Sequence, residues 1–179
     1  MIYSERIRLR GVEKEDLPNF VAWMNDPEVI EGLLVFWPMS SADEARWIES
    51  LGGRETAEKP LAIDARVGEA WKHIGSCGFH NIEWKIRTAE FGISIGDKSF
   101  WNQGYGTETV RLLLKTGFET LNLNRIYLHV NAENLRAIRA YEKCGFVHEG
   151  RLRQAVYQHG HYQDLLVMSV LRAEWDALQ

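Results

Sequence analysis

The chain begins with an alternation. In RIRLRG, Ile7 and Leu9 are separated by arginines, the period-two pattern of a half-buried strand. The period then changes: Leu17, Phe20, Val21 and Met24 fall at helical spacing in EKEDLPNFVAWMND, and Asp26-Pro27 predicts a break after them. SSADEARWIESLGG predicts a second helix. Ser41 and Glu44 form a capping box, Ala45, Ile48 and Leu51 make the apolar stripe, and Gly52-Gly53 supply the stop. LAIDARV and HIGSCGFHNI predict adjacent strands. AEFGISI predicts another, with Phe91, Ile93 and Ile95 on one face and Glu90, Gly92 and Ser94 on the other.

The second half is patterned more strongly. From Thr107, the positions Val110, Leu113, Leu114, Phe118 and Leu121 predict a helix of about four turns. NRIYLHVN sets Ile126, Leu128 and Val130 against Tyr127, His129 and Asn131, a strand. Asn134 is placed to cap a short helix, LRAIRAYEKC, which Gly145 ends. LRQAVYQ and DLLVMSVL predict two last strands, with HGHYQ as the hairpin connection. Consecutive strands in both halves predict a mixed α/β (α+β) sheet flanked by helices, not an alternating βαβ series. With no repeat or linker, the 179 residues fit one domain spanning 1–179.

Composition narrows the classes. A net charge of −4 argues against a nucleic-acid partner and is compatible with a cationic substrate. Cys77 and Cys144 have no paired spacing, so neither a disulfide framework nor a metal site is expected. MIYSERIRLRG is charged too early for a signal peptide and no apolar run reaches membrane-spanning length, which reads as a cytoplasmic protein without a membrane partner. His159-Gly160-His161 lacks a third ligand and reads as a polar hairpin. GLLVFWPM (32–39) is apolar for a connection: a substrate lid, a surface for homo-oligomer contact, or, the reading favoured here, a segment packed under the first helices. Nearby, Glu28 and Glu31 are either attractors for a cationic amine or solvated charges.

One stretch, FWNQGYGTET, brings in chemistry. A strand ending near Ile95, a glycine turn and a helix from about Thr107 place bare backbone amides at a helix N-terminus, a favourable place for an anion. Gly104 and Gly106 permit positive φ and leave no Cβ in a phosphate's way. A plain tight turn accounts for the same residues equally well. No Gly-Lys-Ser/Thr follows, which excludes a Walker loop, and a dinucleotide fingerprint lacks its third glycine.

A second element decides between these readings. VNAENLRAIRAYEKCGF (130–146), with Asn134, Tyr141, Gly145 and Phe146, resembles the second signature of the GCN5-related N-acetyltransferases. Their pyrophosphate loop, Q/R-x-x-G-x-G/A, falls on Trp101, Asn102, Gln103, Gly104, Tyr105 and Gly106, with Trp101 in place of Gln or Arg as in the ribosomal-protein N-acetyltransferase branch. The stretch from LNLNRIYLHVN to GRL, and GHYQDLLVM, are most similar to bacterial spermidine N-acetyltransferases. The N-terminal third is more similar to amino-sugar and general members of the branch. The resemblance implies an acyl-CoA N-acyltransferase fold with a mostly antiparallel, splayed sheet, acetyl-CoA as cosubstrate and no metal. It also implies an acceptor that is a small-molecule amine such as a polyamine, a peptide N-terminus, or an amino sugar or antibiotic. A non-catalytic acyl-CoA sensor is the reading from another class, disfavoured by the retention of Tyr141.

The resemblance further implies that Trp101, Asn102 and Gln103 belong to the cofactor-binding loop and the amides from Gly104 to Thr107 hold the coenzyme A pyrophosphate, that Ile93, Ser94 and Ile95 bind pantetheine like an added strand, and that Asn134 and Lys143 touch the cofactor. It places the Tyr141 hydroxyl beside the sulfur as proton donor to the leaving thiolate. A primary amine costs about 4.6 kcal/mol to deprotonate at neutral pH, so a proton acceptor is needed as well. Glu90 is the first candidate and His129, mid-strand and suited to proton relay, the second.

Overall fold

The computed structural model describes residues 1–33 and 35–178; Leu34 and Gln179 lie outside the described residues. Eight strands, β1 (Ile2–Tyr3), β2 (Ile7–Gly11), β3 (Leu61–Val67), β4 (Ala70–Glu83), β5 (Thr88–Ile95), β6 (Arg125–Asn131), β7 (Val147–Gln158) and β8 (His161–Leu171), form one sheet in the order β1-β2-β3-β4-β5-β6-β8-β7. Helices α1 (Leu17–Met24), α2 (Pro27–Ile30) and α3 (Ser41–Ser50) lie between β2 and β3. Helix α4 (Tyr105–Lys115) joins β5 to β6, α5 (Leu135–Glu142) joins β6 to β7, and α6 (Arg172–Asp176) follows β8.

All neighbouring strands are antiparallel except β5 and β6, which run parallel and pair only at Thr88–Arg125, Ala89–Ile126 and Glu90–Tyr127. Past Glu90 the two strands part, while β5 stays paired to β4 as far as Ile95 with Gly75. The sheet therefore opens into a V. Alternation assigns the two faces: Ile7, Leu9, Ile63, Phe79, Phe91, Ile126, Leu128 and Met168 pack with Val110, Leu113, Leu114 and Phe118 in the core on the α4 side. Phe118, stacked on Trp175 at 5.9 Å, sits in a π-helical turn, Thr116–Thr120, which carries the α4 stripe to Leu121. On the opposite face the ion pairs of Arg8 and Arg10 with Asp64, and of Arg10 with Asp16, lie beneath α1 and α3, which meet through Phe20 and Trp47 at 5.2 Å.

Several expected boundaries shift. The α3 cap is Ser40 with Asp43, not Ser41 with Glu44, because Glu44 is turned into the protein and buried. Helix α4 begins at Tyr105 rather than Thr107, so Gly106 lies within its first turn. Asp26, expected only to break α1, caps the short α2 by accepting from the Glu28 amide. The last hairpin turns at His159-Gly160 alone, and Tyr162 and Gln163 already belong to β8. Packing under the first helices fails for the tip of the apolar connection, since Phe36 and Trp37 are 80% and 76% exposed.

Candidate active site

Two consecutive residues of β5 organise the opening. The Phe91 ring faces the core and meets the Tyr141 ring edge-on at 5.7 Å, while Glu90 points to the opposite face. A molecule threaded through the split between β5 and β6 would thus have Tyr141 on one side and Glu90 on the other.

The glycine turn stands at the end of β5. Gly104 is the N-cap of α4 at φ +85°, a left-handed conformation natural to glycine. The amides of Tyr105, Gly106 and Thr107 donate to no acceptor among the described residues, leaving three N–H groups at the positive end of the α4 dipole. A Cβ on Gly106 would meet only Ile95 Cγ1 at 3.9 Å, ordinary contact. Nothing within the protein requires glycine there. No bulky side chain stands over the open amides there.

Three residues that sequence reasoning did not name hold this turn. Arg6 donates through Nε to Glu108 Oε2 at 2.9 Å and through Nη1 to the Gln103 carbonyl at 3.3 Å, and it lies over the Tyr105 ring at 4.6 Å. Glu108 also accepts from the Ser4 hydroxyl at 2.7 Å and the Arg6 amide at 3.1 Å. Arg136, on the first turn of α5, lies 4.0 Å above the Trp101 ring. Trp101 in turn donates its indole N–H to the Ile95 carbonyl at 2.6 Å, so the residue that departs from Q/R latches the turn to β5. No sequence signal marks Arg6 or Arg136, whose contacts span distant elements. Arg111, Arg136, Arg139 and Lys143 make no ion pair among the described residues, which leaves a cationic rim along α4 and α5. The Arg111 guanidinium reaches the Lys143 carbonyl at 3.3 Å and ties the two helices together there.

Burial pushes the Glu108 carboxyl up, but hydrogen bonds from Ser4 and Arg6 outweigh it and hold the group below the ordinary carboxylate range. A depressed folded-state value means stability that is present above the unfolded value of about 4.3 and lost as pH falls through the folded one. Glu108→Gln should therefore cost about 1–3 kcal/mol at neutral pH. In denaturant unfolding the difference from wild type should shrink below about pH 4; a difference that is constant with pH would refute the assignment.

On the other face the two base candidates, 39 residues apart in sequence, are joined: His129 Nδ1 lies 2.6 Å from Glu90 Oε1. Glu90 Oε2 accepts from Asn81 Nδ2 at 3.0 Å and lies 3.5 Å from His80 Nε2. Burial raises the Glu90 carboxyl, yet the bonds from His129 and Asn81 and the neighbouring imidazoles win and hold it below its usual value. It stays ionised at neutral pH. Of the acidic pair near α2, Glu28 is paired with Lys98 at 2.9 Å, a cation it shares with Asp26 at 2.7 Å.

Asn134 caps α5, its Oδ1 accepting from the Ala137 amide at 3.1 Å, and its Nδ2 lies under Gly32, where a Cβ would stand 2.8 Å away. Gly145, at φ +89°, ends the helical segment. Tyr141 packs against Phe91 and Phe146, and its hydroxyl makes no hydrogen bond among the described residues. Burial pushes this phenol up to about 12, so it stays protonated at any working pH.

The profile for the Acetyltransferase (GNAT) domain matches residues 6–147. The chain belongs to the GNAT acetyltransferase family. It is 31% identical over 173 residues to the spermidine N(1)-acetyltransferase of Vibrio cholerae, covering 96% of both chains. It is 34% identical over 181 residues to a putative ribosomal N-acetyltransferase of Bacillus subtilis, covering 97% of this chain and 95% of that one. Among solved structures, spermidine N-acetyltransferase from Vibrio cholerae in complex with CoA and spermine superimposes with a TM-score of 0.85 at 29% identity, over 96% of this chain and 99% of that one. The eight-stranded mixed sheet is the GNAT acyl-CoA N-acyltransferase fold. This GNAT chain is an acetyl-CoA-dependent N-acetyltransferase. Among the described residues no helix is long and apolar enough to cross a membrane.

Proposed function

We propose that this enzyme acetylates a small primary amine, in the first instance a polyamine, by direct attack of the amine on acetyl-CoA. The observation that carries the reading is the split past Glu90 and Tyr127, with open amides at Tyr105 to Thr107 on one flank, Tyr141 on one face and an ionised carboxylate on the other. Coenzyme A enters between α4 and α5, its pyrophosphate on the turn from Trp101 to Thr107 and its outer phosphate near the cationic rim that includes Lys143. Pantetheine lies along Ile93 to Ile95, whose backbone groups on the β6 side are freed by the divergence, and beside Asn134. An amide of this segment polarises the thioester carbonyl. The amine approaches from the opposite face, drawn by the charge on Glu90.

Tyr141 supplies the proton to the departing thiolate. From about 12, the phenol gives its proton to a thiolate of about 8.5 at a cost of about 5 kcal/mol. The transfer is therefore coupled to the proton shed by the newly acylated nitrogen, which returns to the phenolate. The polyamine choice is supported by the printed activity of the Vibrio cholerae relative and by spermine in its complex.

The test is a thiol-release assay with acetyl-CoA against polyamines, peptide N-termini, amino sugars and aminoglycosides. Polyamines giving the highest kcat/KM supports the proposal, and a peptide N-terminus far ahead of every polyamine would transfer the enzyme to the ribosomal-protein type. Saturable cofactor binding without turnover on any amine would make the chain a sensor and overturn the reading.

A further inference from the structure

We propose that Glu90 and His129 act as one unit: Glu90 orients the imidazole through Nδ1, and Nε2 of His129 takes the proton of the acceptor ammonium above the bare backbone of Gly92. The proposal rests on the acetyl-transfer reading and assigns the proton acceptor within it.

Both oxygens of Glu90 are already engaged. Oε1 holds His129 at 2.6 Å, and Oε2 holds Asn81 at 3.0 Å with His80 at 3.5 Å. Asn81 reaches the carboxylate because β4 loses register between His80 and Glu83, where Asn81 adopts φ +53° and turns its side chain toward β5. A carboxylate with each oxygen bound and its proton affinity depressed is a poor acceptor for an ammonium proton, but it is well built to fix a neighbouring imidazole. The other groups facing it are accounted for: Tyr127, from β6, is pushed up by burial and by the charge of Glu90 and stays neutral. Arg125, beyond it, stacks on Tyr127 at 4.7 Å and is bound to Glu149.

His129 is the member of the cluster at the opening. It lies on β6 two residues past the last β5–β6 pair, whereas His80, though more exposed at 47% against 33%, sits on β4 away from the split. Gly92, two residues beyond Glu90 on the same face, supplies the space. A Cβ there would meet only His80 Cε1 at 3.5 Å, so the fold itself tolerates a side chain that the position lacks.

The protons balance. The ammonium gives one proton to His129 Nε2 and the free amine attacks the thioester carbonyl, forming the C–N bond. The C–S bond then breaks, and its electron pair goes to sulfur, which takes the Tyr141 proton. The second nitrogen proton restores Tyr141, and His129 releases the first to solvent.

The test is the pH dependence of kcat and kcat/KM on the best amine from about pH 5 to 9, a range that brackets imidazole titration. His129→Gln should lower kcat roughly ten- to a thousandfold and abolish the acidic limb, with the KM for acetyl-CoA unchanged. Glu90→Gln should lower kcat but keep the limb, because Nε2 of His129 is still present and only its orientation is lost. His80→Gln should leave the limb in place. A limb retained in His129→Gln and lost in Glu90→Gln would make Glu90 the acceptor and overturn the proposal. Nitrogen NMR of the wild-type imidazoles is an independent check that needs no variant to fold: above the titration, His129 should carry its proton on Nδ1, and the opposite tautomer overturns the unit. Wild-type protein inactive on every amine would instead sink the acetyl-transfer reading.

Discussion

Tyr141→Phe is expected to lower turnover by roughly ten- to ten-thousandfold, the usual scale for a positioned proton donor. Stability and coenzyme A affinity should barely change. The ring keeps its contacts with Phe91 and Phe146, and the lost hydroxyl leaves no protein partner unsatisfied among the described residues. The phenol's value of about 12 adds a second expectation: no basic limb attributable to Tyr141 should occur in the wild-type profile below about pH 11. Stopped-flow measurement of acetyl transfer, with cofactor binding by calorimetry, checks both. Unchanged transfer in the variant would remove Tyr141 from the mechanism and leave its ring as packing.

The legible parts of the site are those written in local spacing. Gly104 and Gly106, the Asn134 cap, Tyr141 and Gly145 each lie within one turn or one short helix, where the chain's own geometry fixes their relation. The split is legible only through the family resemblance, not from the residues themselves. Phe91, Ile93 and Ile95 alternate in the same way whether or not a neighbour pairs with them, and the end of pairing at Glu90–Tyr127 is a tertiary event. The contact between Glu90 and His129 is hidden for the same reason: two rivals well apart along the chain are neighbours across β5 and β6.

Near misses have local causes. Ser40 and Ser41 each precede an acid by three residues, and only the burial of Glu44 selects the first register. The start of α4 is blurred because a first turn containing glycine lacks an apolar stripe. Phe36 and Trp37 show the opposite failure. Their apolar character says that contact with water is costly, but not that this chain supplies the cover.

The glycine turn yields the other large effect. Gly106→Val should weaken coenzyme A binding by about a hundredfold or more, the loss of two charge-assisted hydrogen bonds at about 1.5–3 kcal/mol each. The fold should not suffer comparably. The position is in the first turn of α4 at ordinary φ, its nearest neighbour is a flexible isoleucine carbon at 3.9 Å, and valine costs a helix no more than about 0.7 kcal/mol relative to the best residue. Gly106→Ala should lie close to wild type, since the smaller side chain is the one the family's loop pattern admits. Gly104 cannot serve in this comparison: at φ +85° any side chain strains the backbone, so a loss of binding there would mix two causes. Calorimetric titration with coenzyme A, set beside thermal unfolding, gives the two readouts separately. Wild-type affinity in Gly106→Val would mean that no phosphate approaches these amides, and the turn would revert to a helix cap.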